Sequence, residues 1–84
     1  AMNGEISMHD LVALLADMPA EHLSTRRPLT LRRGDVGTVV VTHEGSAYEV
    51  KFLGRDGRAC ALVTVPAAQL IALHFEPSQA AGMV

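Results

Sequence analysis

One stretch limits what this chain can fold into more than any other. Val36, Thr38, Val39, Val40, Val41 and Thr42 stand almost without interruption, and β-branched side chains at that density favour extended backbone over helix. Gly34-Asp35 precedes the run as a turn. Gly37 lies inside it and marks a bulge or a close approach of another backbone. Glu44-Gly45-Ser46 follows as a short hairpin loop. Residues 47–53 then alternate, with Tyr48, Val50 and Phe52 on one face and Glu49 and Lys51 on the other. Gly54-Arg55-Asp56-Gly57 is a second turn, Arg58 to Val65 a third strand, Pro66-Ala67-Ala68-Gln69 a single tight turn, and Leu70 to Phe75 a short last strand.

The amino-terminal part reads less cleanly. Met8, Leu11, Leu15 and Met18 recur at helical spacing. Ser7 with Asp10 imitates a capping box, and Pro19 would stop the helix. The rival reading is a strand through Leu11–Leu15 that is apolar on both faces. Residues 19–33 form a long connection with Pro19, Pro28, Arg26-Arg27 and Arg32-Arg33; a loop of this length in a small domain is functional or mobile. Residues 1–7 read as a flexible lead and 76–84 as a flexible tail. A meander, a one-turn interruption and a closing strand predict a mostly β fold, a small five-stranded SH3-like barrel over residues 8–75. The alternative is α+β, with residues 8–18 as a helix on the β-meander.

Eighty-four residues make one domain, and a chain of this size buries only roughly 60–65% of the surface its unfolded form exposes. Composition is 49% hydrophobic and 19% charged, which fits a folded core and leaves apolar surface for a second copy to cover. The net charge of −2 lacks the basic excess common in nucleic-acid binders. Cys60 is the one cysteine, so an intrachain disulfide is excluded, as is a zinc site built on four cysteines or on two cysteines with two histidines. A reducing, cytoplasmic setting is expected. No apolar run reaches the ~20 residues that span a bilayer, and no leader with a cleavage site opens the chain.

Asp10-Leu-Val-Ala-Leu-Leu-Ala-Asp-Met-Pro19, Leu31-Arg-Arg-Gly-Asp-Val-Gly-Thr-Val-Val40, Ala47-Tyr-Glu-Val-Lys-Phe52 and Leu62-Val-Thr-Val-Pro66 with Gln69-Leu70 stand in an order that resembles the bacterial domain-of-unknown-function family 4926. The resemblance covers about residues 9–75. It implies an SH3-like barrel whose first strand is the Asp10–Pro19 segment, and it implies no activity. Around Ser24-Thr25-Arg26-Arg27-Pro28 this chain carries extra residues relative to the family pattern.

No catalytic motif is present. The serines, His9, His22, His43, His74 and Cys60 show no nucleophile–base spacing, and no two histidines stand at metal-binding spacing, so no catalytic residue, metal or cofactor is assigned. Gly34-Asp35-Val36-Gly37 precedes a strand rather than a helix and makes no phosphate cradle. Arg33-Gly34-Asp35 spells an adhesive tripeptide but belongs to a turn. The one anomaly is Arg26, Arg27, Arg32 and Arg33, four cations in eight residues with no acid among them. Guanidinium groups on a loop bind carboxylate or phosphate. The leading expectation is a non-enzymatic module that binds a protein partner or itself as a homo-oligomer, with these arginines as contacts to an acidic partner. The second is a nucleic-acid-binding barrel using the same residues, set back by the scarcity of aromatics. The third is an enzyme or small-ligand binder.

Overall fold

A computed structural model describes residues 6–73. The strands are β1 (Leu11–Leu14), β2 (Met18–Glu21), β3 (Pro28–Leu31), β4 (Val36–His43), β5 (Ala47–Leu53), β6 (Ala59–Pro66) and β7 (Leu70–Ala72), with a 3-10 turn at Ala67–Gln69 between the last two. The fold is mostly β. Five strands form one antiparallel sheet in the order β6-β5-β4-β1-β7, and β2 and β3 form a separate hairpin.

The β-branched run lies at the centre of the large sheet, as its composition demands. β4 pairs with β5 on one side and β1 on the other, with a register shift between Val39 and Val41. Alternation on β5 separates Tyr48, Val50 and Phe52, all buried, from Lys51 and Leu53. Val12 and Leu14 of β1, Val39 of β4, Ala61 and Val65 of β6 and Leu70 of β7 complete the buried layer. The hairpin covers this layer. Leu31 is buried, and Met18, Ala20 and Leu29 pack against the core through the cross-strand pairs Met18↔Leu31 and Ala20↔Leu29. Covering apolar side chains at about 25 cal/mol per Å2 is what holds so short a ribbon in place.

Three expectations need correction. Residues 8–18 contain no helix. Ser7 and Asp10 do bond reciprocally, the Asp10 carboxylate accepting from the Ser7 N–H at 2.8 Å and the Ser7 carbonyl from the Asp10 N–H at 3.1 Å. They close a turn with His9 at φ 71°, and the chain leaves it as a strand. Sheet pairing on both sides of β1 overrides the helical spacing. The segment is also not one strand to Pro19, since β1 ends at Leu14 and Met18 opens β2. Second, much of the connection 19–33 is the β2–β3 hairpin rather than a loop. Third, the large sheet does not close into a barrel: β6 and β7 are its two edges among the described residues. The expected strand 70–75 is seen as Leu70–Ala72, and its last residues, with the tail 76–84 and lead residues 1–5, lie outside the described residues.

The hairpin tip is fastened to the β6 edge. The Leu23 N–H donates to the Cys60 carbonyl at 2.9 Å. This bond brings the loop between β2 and β3 beside the turn between β5 and β6.

Candidate functional site

The four arginines of the sequence do not form one cluster. β3 lies between them, and four residues of strand span roughly 13 Å. Arg26 and Arg27 sit at the hairpin tip, and Arg32 and Arg33 lie at the other end of β3. One acid distant in sequence and one close by also meet Arg32 and Arg33. Asp17 accepts from the Arg33 N–H at 2.7 Å and stands 3.8 Å from the Arg32 guanidinium. The Asp35 carboxylate accepts from the Arg32 N–H at 2.9 Å. These contacts build the turn into β4, and they absorb part of the positive charge at that end.

The tip is built differently. The His22 N–H donates to the Arg27 carbonyl and the Arg26 N–H to the His22 carbonyl, each at 2.9 Å. Nδ1 of His22 accepts from the Ser24 N–H at 3.1 Å, with the Thr25 N–H at 3.4 Å. An imidazole nitrogen accepts only when it carries no proton, so this loop uses His22 with its proton on Nε2. The loop holds Arg26 at φ 65°, a left-handed conformation that costs a non-glycine residue roughly 1 kcal/mol. Nε of Arg26 donates to Glu21 at 3.2 Å, both side chains remaining mostly exposed.

Between this tip and the β5–β6 turn lies a concavity of about 620 Å3, bordered by His22, Ser24 and Leu29 on one side and by Arg55, Asp56, Arg58 and Cys60 on the other. Among the described residues Asp56 is its one carboxylate, and Oδ1 of that group already accepts from the Arg58 N–H at 2.9 Å. Among the described residues the side chains of Arg27, Arg55 and Arg58 have no ion-pair partner. Sequence reasoning missed Arg55 and Arg58. Arg55 read as a turn residue and Arg58 as the first residue of a strand, and tertiary contact, including the Leu23–Cys60 bond, brings them to the hairpin.

The remaining candidates stay apart. His43 Nε2 lies 3.0 Å from Glu49 Oε2 on neighbouring strands, a cross-strand pair on the sheet surface. Among the described residues no three His, Cys, Asp or Glu side chains converge as metal ligands do. No helix among them is long and apolar enough to cross a membrane.

Residues 8–72 match the profile of the family described as Domain of unknown function (DUF4926). The chain belongs to this family. The match begins just before β1 and ends with β7, so the DUF4926 domain comprises both the sheet and the hairpin that covers it. Separate comparisons with curated proteins and with solved structures found no match.

Proposed function

We propose that this DUF4926 domain is a non-enzymatic interaction module of SH3-like design, and that its hairpin-tip end takes an acidic segment of a protein partner. The SH3-like reading rests on strand order: a three-strand meander, a single 3-10 turn and a short strand returning beside β1. One observation carries the binding reading. Arg55 and Arg58 border a concavity whose only carboxylate among the described residues already accepts a backbone bond, and the hairpin loop on its other side carries Arg26 and Arg27. Exposed guanidinium groups beside a partly apolar floor suit a carboxylate-bearing peptide, whose charge they can meet bidentately. Arg26 is held in a strained backbone conformation, a feature found more often at ligand sites than on idle loops.

Isothermal titration with a deca-glutamate peptide, a deca-lysine peptide and a single-stranded RNA of equal length tests this. The glutamate peptide binds, the lysine peptide does not, and the triple variant Arg27→Ala, Arg55→Ala, Arg58→Ala loses the binding while its thermal unfolding stays unchanged. Tighter binding of RNA, with a steep dependence on salt, would replace this reading with the nucleic-acid one. Equal affinity of wild type and triple variant would remove the site.

A further inference from the structure

The two faces of the large sheet meet different surroundings. The β2–β3 hairpin covers one of them. On β1, Val12 and Leu14 are buried on that side, so Leu11, Ala13 and Leu15 point to the opposite, outer face. Cross-strand partners share a face. Ala13 is opposite Val36 of β4 and Ile71 of β7, and Leu11 is opposite Thr38. The Leu73 N–H donates to the Leu11 carbonyl at 2.9 Å, which sets Leu73 beside Leu11. Among the described residues, the outer face of β7, β1 and the adjoining part of β4 therefore carries one polar side chain, Thr38, and no ionisable one.

Ile71, Leu73, Leu15, Val36 and Leu11 are 39–50% exposed around the buried Ala13. The neighbouring strand β5 shows the contrast. Its outer face carries Glu49 and Lys51, with Lys51 opposite Thr38 and Leu53 following it. β1 reads Leu-Val-Ala-Leu and continues into Leu15, the unbroken apolar run of a strand covered on both faces. The hairpin covers only one of the two.

We propose that a second copy of this chain covers the other, the two sheets packing face to face about a two-fold axis that lies between them and nearly parallel to β1. Three observations select a copy as the occupant. The first is symmetry: β1 has an apolar strand on each side. Turning one copy over about β1 lays β7 on β4 of its partner, Ile71 against Val36 and Leu73 against Thr38, twice over. β1 then lies on β1 at about 10 Å, with the crossing of roughly 30° usual for packed sheets. The second is charge. Lys51 stands two strands from β1, so the two lysines fall on opposite sides of the axis, roughly 20 Å apart and well beyond the screening length of ~8 Å. A neutral patch offers a charged partner nothing to pair with. The third is area. The pair buries on the order of 1,000 Å2, the lower bound for a specific interface, which places association in the micromolar range. The arginine cleft lies beside β6 at the hairpin tip, and its peptide binding is read separately.

Sedimentation equilibrium of the full chain tests this, with methyl NMR spectra recorded at low and high micromolar concentration in the presence of a soluble paramagnetic probe. A dimer is expected, in which the Leu11, Val36 and Ile71 methyls become shielded from the probe as concentration rises while those of Leu53 do not. Val36→Lys and Ile71→Lys each place a charge on an exposed side chain. Both variants should unfold near the wild-type temperature, dimerise roughly tenfold more weakly or worse, and still take the glutamate peptide. Leu53→Lys, two strands from β1, meets no strand of the copy and leaves dimerisation unchanged. A monomer at high micromolar concentration overturns the inference; methyls shielded in that monomer would show the residues after Leu73 covering the face instead. A dimer indifferent to Val36→Lys and Ile71→Lys overturns it as well, since its contact then lies elsewhere.

Discussion

Gly37 and Val50 are packed so closely that a Cβ on the glycine would stand 2.5 Å from Cγ1 of the valine. The same atom would lie 2.8 Å from the Lys51 carbonyl oxygen and 2.9 Å from Cε1 of Phe52. Of the two readings a glycine in a strand allows, close approach applies here, and the bulge falls three residues later, at Val40.

Gly37→Ala should therefore cost about 1–3 kcal/mol, the range for overpacking a core. The backbone of β5 cannot give way without disturbing its pairing with β6. Urea unfolding checks this through a lower midpoint at an unchanged slope. Unchanged stability would show that the two strands are less closely seated than described.

His22 should hold the hairpin tip as a hydrogen-bond acceptor. His22→Ala leaves the Ser24 and Thr25 N–H groups without their partner and should lower stability by roughly 1 kcal/mol, as loss of a cap does. His22→Asn offers a side-chain oxygen in a similar place and should recover much of it. Amide exchange of residues 23–26 separates a local loosening of the tip from global destabilisation.

Arg26 combines two separable properties, charge and a left-handed backbone. Arg26→Gly should raise stability by about 0.5–1 kcal/mol, because glycine adopts φ 65° without the Cβ clash. The lost ion pair with Glu21 subtracts little, since exposed pairs are worth ~0–1 kcal/mol. The same change should weaken glutamate-peptide binding. Thermal unfolding and titration of this one variant give the two signs.

The meander β4-β5-β6 was legible because its strands announce themselves locally, whereas β1 carried helical spacing and is a strand through its pairing on both sides. Val36–Thr42 is β-branched, Tyr48, Val50 and Phe52 alternate, and the turns at Gly34, Glu44-Gly45 and Gly57 fall where the backbone takes positive φ. The hairpin was not legible, because Pro19 and Pro28 read as breakers. On a two-stranded ribbon an outward-facing position needs no N–H, so proline is tolerated there. The faint signal was period-two spacing, Met18 with Ala20 and Leu29 with Leu31. The arginine reading failed for a related reason: closeness along a chain is lost when a strand intervenes, and Arg55 and Arg58 reach the tip only through tertiary contact.

β1 takes its neighbours from the middle and the far end of the domain, pairing Leu14 with Leu70 after every other strand has intervened. A sheet assembled this way cannot be finished as it is synthesised. The meander of β4, β5 and β6 can form from local contacts, while β1, made first, waits for β4 and finally β7. High contact order of this kind places folding on the order of milliseconds to seconds. During that wait the apolar segment Leu11-Val-Ala-Leu-Leu15 has no neighbours of its own, so the earliest residues of the domain are the ones most dependent on its last.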